Sequence, residues 1–145
     1  MDGDPDAVRF PRAMAKDGYD FSFSGLKTSV VNFARKNPDV PDVDIAASFQ
    51  EAVVDVLLTK AQRAVHEHGA KGLCLAGGVA ANSSLRERTL DLAMEDGISA
   101  FVPNRSMCTD NAAMVAAAGW WRLHSDGAAP LDQGATSSLR LPTYA

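Results

Sequence analysis

From residue 42 onward the sequence predicts an α/β fold, with helices packed on a parallel sheet that this chain leaves incomplete. Three observations carry that reading. The hydrophobic period gives the order helix, strand, helix, strand, helix, which is the pattern of a parallel α/β layer. The run Gly72-Leu73-Cys74-Leu75-Ala76 is continuously apolar and bounded by glycines, as expected of a buried parallel strand. Only two strands are legible, too few for a stable sheet covered on both faces, so the sheet is expected to be completed by something absent from this chain or by strands not visible in it.

The elements follow in order. Residues 1–23 read as an irregular arm punctuated by Gly3, Pro5, Pro11 and Gly18. Within it, Tyr19, Phe21 and Phe23 alternate with polar residues and give a short extended piece with one aromatic face. Leu26, Val30 and Phe33 at spacings of four and three predict a helix from Gly25, capped by Ser24 and ended by Asn37-Pro38. A long helix is predicted over Asp42–His68, with Ile45, Phe49, Val53, Val56, Leu57, Ala61, Ala64 and Val65 on one stripe. Asp42 or Asp44 supplies its cap and Gly69 its stop. At 1.5 Å per residue, about 25 residues of such a helix span about 38 Å, enough to cross a whole sheet or reach a neighbouring lobe. After the first strand, Gly77-Gly78 is expected to lead straight into a helix through Ala80, Leu85, Leu90, Leu92 and Met94, stopped by Asp96-Gly97. Ile98 to Val102 is the second strand, closed by Pro103-Asn104. Thr109 or Asp110 is expected to cap a third α/β-layer helix, Ala112 to His124, apolar almost all round. The helical and α/β core is thus bounded at 24–125, and 126–145 reads as a loose tail.

Composition narrows the function classes. The chain has 145 residues, 14 Lys plus Arg against 18 Asp plus Glu, and a net charge of −4, which argues against a dedicated nucleic-acid-binding domain. Two cysteines make neither a disulfide scaffold nor a four-cysteine zinc site. No apolar run approaches the roughly 18–20 residues of a membrane span. The start Met1-Asp2-Gly3-Asp4-Pro5-Asp6 is acidic with no apolar core behind it, so it is not read as a signal peptide. A soluble cytoplasmic protein with free thiols is expected.

Three segments offer chemistry. The first is Leu75-Ala76-Gly77-Gly78-Val79-Ala80-Ala81-Asn82, where a strand ends in two glycines before a helix. Paired glycines let another molecule approach the backbone, a helix N-terminus offers N–H groups, and ligands of open α/β sheets bind at strand carboxyl ends. Asn82 has the chemistry to bond a ribose or an adenine edge. The plainer alternative is a tight turn with a solvated Asn82. The second segment is Ser106-Met107-Cys108-Thr109-Asp110-Asn111, past the end of the second strand. Asp110 suits a metal ligand or a general base, but on its position alone a helix cap is the stronger reading. Cys108 reads as a buried bystander. The third is Phe21-Ser22-Phe23-Ser24-Gly25-Leu26-Lys27-Thr28, whose Ser, Gly, Lys and Thr suggest phosphate contact without P-loop spacing, or simply a capped helix start with a solvated Lys27. His66 and His68 are two apart on a helix, so they do not chelate one metal and read as structural. Arg86 and Arg88 with Glu87 read as a solvated helix face.

Taken together, Phe10-Pro11-Arg12-Ala13-Met14, Asp20 to Thr28, Gly77-Gly78-Val79-Ala80-Ala81-Asn82 and Cys108-Thr109-Asp110-Asn111-Ala112-Ala113-Met114 resemble, in this order and spacing, the tRNA N6-adenosine threonylcarbamoyltransferase family, TsaD, also known as the Gcp or glycoprotease (peptidase M22-like) family. The resemblance runs from Gly3 to about Pro142. It implies part of an actin-like, sugar-kinase-like (ASKHA, ribonuclease H-like) lobe. It implies an acyltransferase of tRNA processing, which moves a threonylcarbamoyl group from threonylcarbamoyl-AMP to N6 of tRNA adenosine 37 (t6A modification). It implies one divalent metal, iron or zinc, an ATP-type adenylate ligand, and TsaB- and TsaE-type partner subunits in the cytoplasm. By the same resemblance Gly77, Gly78 and Asn82 bind the adenylate and Asp110 is a metal ligand; no catalytic residue is assigned.

The departures from the family are as informative. The His-x-x-x-His motif that supplies the other metal ligands is absent, as is the Ser-Gly-Gly-His-Thr loop that faces the phosphate. This chain therefore looks like the C-terminal portion, lacking an N-terminal lobe, and is expected to be inactive alone. An adenine-nucleotide-binding or lobe-binding module without catalysis is the alternative. The family's older label, metallopeptidase, finds no His-Glu-x-x-His here. An exposed sheet edge is expected to favour self-association.

Overall fold

The computed structural model describes residues 3–15, 18–134 and 136–138. The acidic start at Met1-Asp2 and the last part of the predicted tail lie outside the described residues. The chain forms two compact units, Met1–Thr109 and Asp110–Ala145.

The first unit holds α1 (Ser24–Lys36), α2 (Asp42–His68), β1 (Gly72–Cys74), a 3₁₀ turn (Gly78–Ala81), α3 (Ser83–Glu95), β2 (Ser99–Phe101) and a second 3₁₀ turn (Arg105–Met107). The second unit holds α4 (Ala112–Asp126). The strands pair in parallel, Gly72 with Ser99, Leu73 with Ala100 and Cys74 with Phe101, and they form the one sheet among the described residues. The fold is therefore α/β with an incomplete parallel sheet, as the sequence predicts. No described helix is long and apolar enough to cross a membrane.

Several helix ends differ from expectation. Ser24 is the first residue of α1 and not its cap; Phe23 precedes it without a side-chain hydrogen bond, and the Ser24 carbonyl accepts from Thr28 Oγ1. Neither Asp42 nor Asp44 caps α2, which starts after Pro41. Both lie in the first turn, where their charge suits the helix dipole, and Asp44 Oδ1 accepts the Asp4 N–H at 2.8 Å. Gly69 does stop α2: it is left-handed, with φ 59°, and its N–H donates to the Val65 carbonyl.

The arm is strapped along α2 by a ladder of hydrogen bonds. The Val8 N–H donates to Ser48 Oγ, which in turn donates to the Asp4 carbonyl, so this fully buried serine is satisfied. Arg12 reaches Asp55; Lys60 Nζ and Arg63 donate to the carbonyls of Asp20 and Gly18, and the Tyr19 hydroxyl donates to Glu67. The Glu67 acceptor raises the Tyr19 phenol above its ordinary value. Lys60 is among the largest fully buried side chains, its ammonium 5.3 Å from the Phe21 ring centre.

Because the arm covers one side of α2, its burial is not the single stripe predicted. Ala47, Ser48, Ala52, Val54, Leu58 and Lys60 are buried, whereas Phe49, Val53, Leu57 and Ala61 of the predicted stripe are only half-buried. Two apolar clusters result. One joins Phe10, Leu26, Ile45 and Ala52, with Phe10 edge-on to Phe33 at 5.7 Å. The other joins Val54 and Leu58 of α2 to Leu85 and Leu92 of α3, over Leu73 and Leu75 of the β1 segment. The first strand, expected to be buried, is covered on one side only: Leu73 and Leu75 are half-buried against the α2–α3 cluster, while Gly72 and Cys74 are exposed.

Candidate functional site

Gly77, Gly78 and Asn82 fall in one short loop at the carboxyl end of β1. The loop does not run straight into a helix. Gly77 takes a φ of 78°, a conformation that L side chains rarely adopt. One 3₁₀ turn follows, and Asn82 then returns to extended backbone, φ −64° and ψ 127°, before α3. The break has a clear cause. Asn82 is the N-cap of α3: its Oδ1 accepts the Leu85 N–H at 2.9 Å. Its Nδ2 donates to Gln50 Oε1 of α2 at 2.8 Å. Asn82 is therefore neither a free ligand contact nor a solvated residue; it ties the loop to two helices. One amide hydrogen and one carbonyl lone pair remain on the side chain.

The glycines leave the backbone open. A Cβ built on Gly77 or on Gly78 meets no other atom within 4 Å, and both residues are exposed. Arg86 of α3 braces the turn by donating to the Ala80 carbonyl at 2.9 Å. Arg105 Nη2 donates to Ser83 Oγ at the start of α3, also at 2.9 Å.

Arg88, read from sequence as part of a solvated face, is instead paired. It donates to Glu51 at 2.8 Å and to Asp55 at 2.6 Å, and Asp55 also accepts from Arg12 at 2.6 Å. Burial alone would raise the Asp55 carboxyl, but the hydrogen bonds from Arg88 and Arg12 and their charges outweigh it and hold it below the ordinary carboxylate value. This carboxylate joins the arm, α2 and α3 in the unit that carries the loop.

Asp110 begins the second unit and is exposed. It does not cap α4, and neither does Thr109. Asn111 does, in extended backbone, its Oδ1 accepting the Met114 N–H at 3.1 Å. The capping alternative for Asp110 is thus overturned. A single exposed carboxylate does not by itself fit a metal ion, which needs three or four protein ligands in most sites, and no group of three metal-binding side chains occurs among the described residues. Cys108 is buried, its thiol 3.5 Å from the Asn104 carbonyl, in keeping with a bystander. His66 pairs with Asp96 at 2.9 Å and His68 lies beside the Tyr19 ring, both structural arrangements.

Sequence reasoning missed Gln50. Its signal was a polar residue between Ala46 and Val53 on an otherwise apolar helix face, and its partner is 32 positions away.

Comparison with known proteins converges on one family. The family model for tRNA N6-adenosine threonylcarbamoyltransferase, TsaD, matches residues 1–117. A tRNA N6-adenosine threonylcarbamoyltransferase of Clostridioides difficile is 44% identical over 144 residues, covering 96% of this chain and 43% of that relative. Those of Kosmotoga olearia and Carboxydothermus hydrogenoformans are 46% and 51% identical over 134 residues, covering 92% of this chain and 41% and 40% of theirs. The chain thus spans about two-fifths of the length of the curated relatives it matches.

Proposed function

The chain belongs to the tRNA N6-adenosine threonylcarbamoyltransferase family, and from that premise we propose that it is one portion of a transferase that moves a threonylcarbamoyl group from threonylcarbamoyl-AMP to N6 of adenosine 37 in tRNA. In that reaction the adenosine amine forms a C–N bond to the carbamoyl carbon, the bond from that carbon to the phosphate oxygen breaks, AMP leaves, and the amine gives up a proton. The part of this chain is to bind and orient. Gly77 and Gly78 let the adenylate lie against the backbone, and Asn82, fixed by Gln50 and by its cap, holds the loop in the shape that receives it. Asp110 contributes one ligand of a metal set whose other members lie elsewhere in the family polypeptide. Alone, the chain binds adenine nucleotide and does not catalyse. The active assembly includes the remaining lobe, TsaB- and TsaE-type subunits and tRNA, in the cytoplasm.

The observation that carries this reading is the open backbone at Gly77-Gly78, rigidly backed by the Gln50–Asn82–Leu85 hydrogen bonds. Its test is a ¹H–¹⁵N spectrum of the chain titrated with AMP. The amides of Gly77, Gly78 and Asn82 are expected to shift, and Gly78→Val is expected to abolish the shifts while leaving the rest of the spectrum intact. Shifts that persist in Gly78→Val, or none in the parent chain, would overturn the assignment. Joining the chain with the remaining family polypeptide and partner subunits is expected to restore t6A formation, which the chain alone does not perform.

A further inference from the structure

The segment Phe21 to Thr28, with its Ser, Gly, Lys and Thr, has no part in the adenylate site as built from Gly77, Gly78 and Asn82. Its polar groups meet different ends. Thr28 Oγ1 donates to the Ser24 carbonyl within α1. Lys27 is exposed, and among the described residues no hydrogen bond or ion pair engages its ammonium. It stands in the first turn of α1, the end at which a helix dipole disfavours a cation, and α1 contains no carboxylate to offset it. A local rule broken without a local gain points to a task outside the helix.

What Lys27 faces defines that task. Phe21, Phe23 and Lys27 line an open groove of about 550 Å³ together with Ala76, Val79 and Ala80, which bracket the Gly77-Gly78 backbone. Among the described residues that line it, Lys27 is the one that carries a charge, and most of the others are apolar. Two of its apolar side chains, Phe21 and Val79, are 48% and 61% exposed, surface that a bound molecule would cover. An apolar pocket with one placed charge is a common build for a ligand that has a ring body and a charged group. Apolar walls also make an ion pair stronger than it is in open water.

We infer that Lys27 holds the phosphate of the adenylate, whose body lies in this groove against the glycine loop. The occupant follows from charge complementarity: an uncompensated ammonium meets a phosphate, and the apolar remainder of the groove meets the base. The inference rests on the reading that Gly77 and Gly78 receive an adenylate, and it assigns a residue of another helix to the ligand's charge. As a compact ammonium on a flexible stem, Lys27 acts as a point charge on the phosphate, a task an arginine at the same place can also perform.

The test titrates the chain with AMP and, separately, with adenosine, which has the same body without the phosphate, and follows the Gly77 and Gly78 amides. The parent is expected to bind AMP about tenfold more tightly than adenosine, the scale of one hydrogen bond to a charged group. Lys27→Met is expected to abolish that margin while leaving the adenosine affinity unchanged, and Lys27→Arg to keep it. Lys36→Met, which removes an exposed cation of α1 that does not line the groove, is expected to leave the margin intact. A margin that survives Lys27→Met overturns the inference and leaves the adenylate reading standing. Equal weakening of AMP and adenosine in Lys27→Met overturns it as well, since Lys27 then shapes the groove and does not meet the phosphate. Failure of the parent to bind either compound overturns the adenylate reading, and the role of Lys27 falls with it. An anticodon stem-loop RNA whose binding weakens in Lys27→Met while the AMP margin persists assigns the cation to nucleic acid and equally overturns the inference.

Discussion

The stretches Gly72–Glu95 and Ser99–Asp126 begin alike. Each has a three-residue strand, a 3₁₀ turn, an extended asparagine and an α-helix. In both, the asparagine Oδ1 accepts the N–H three residues on, Leu85 in one and Met114 in the other. They then diverge. The helix of the first buries Leu85, Thr89, Leu92 and Ala93, whereas no residue of α4 is buried, and Val115 and Trp121 are 73% and 68% exposed. A local code is enough to start a helix. Burial comes from partners distant in sequence, and for α3 these are Val54 and Leu58.

The sharpest way to break the likeness is to shorten one apolar side chain in each helix. Leu85→Ala is expected to destabilise the first unit by about 2–4 kcal/mol, since it opens a cavity in a packed cluster. Val115→Ala is expected to change stability by no more than about 0.5 kcal/mol. Urea unfolding of both variants reads the difference.

The caps come next. Asn82→Ala removes a cap and strands Gln50, so a loss of about 2 kcal/mol is expected. Asn111→Ala should cost about 1 kcal/mol, confined to the first turn of α4 and read from its amide exchange. The turns differ more narrowly. Gly77→Ala places a side chain at φ 78° and is expected to cost about 1 kcal/mol, while Asn104, preceding the second turn at φ −56°, should tolerate alanine within about 0.5 kcal/mol.

The smallest effect concerns the ion pairs that tie α3 to α2. The folded Asp55 carboxyl titrates below its unfolded value, so its contribution is present above the unfolded value and lost as pH falls through the depressed folded one. Asp55→Asn is expected to flatten the acid limb of the stability curve by about 0.5–1 kcal/mol, a modest figure because the pairs are partly solvated. Melting temperature measured across acidic pH checks it.

Most of the frame was legible in the residues. The bounds of α2, the glycine stop at Gly69 and the placing of two parallel strands follow from periodicity and punctuation, which are local. The caps were misplaced by one residue or more because Asp, Ser and Thr near a helix start compete, and neighbours decide: Asp44 is engaged by Asp4, and Asn111 displaces Asp110. For the candidate site, Gly77, Gly78 and Asn82 were visible as a loop at a strand end. The role of Asn82 as a tie to α2 was not, because the 32-residue separation from Gln50 leaves no local mark. Arg88 was misread for the same reason, its two acceptors lying on another helix.

The straps between arm and α2 have a consequence for the order in which the chain folds. They join residues 40 to 48 positions apart. Each closes a loop that encloses α1, and none can form before α2 offers its side chains. Contacts of such sequence separation bear a loop-closure entropy that local helical turns do not. The arm therefore docks only once α2 has formed. Pulled or digested from its N-terminal end, the molecule should lose the arm as a discrete step while the pairing of α2 with α3 persists.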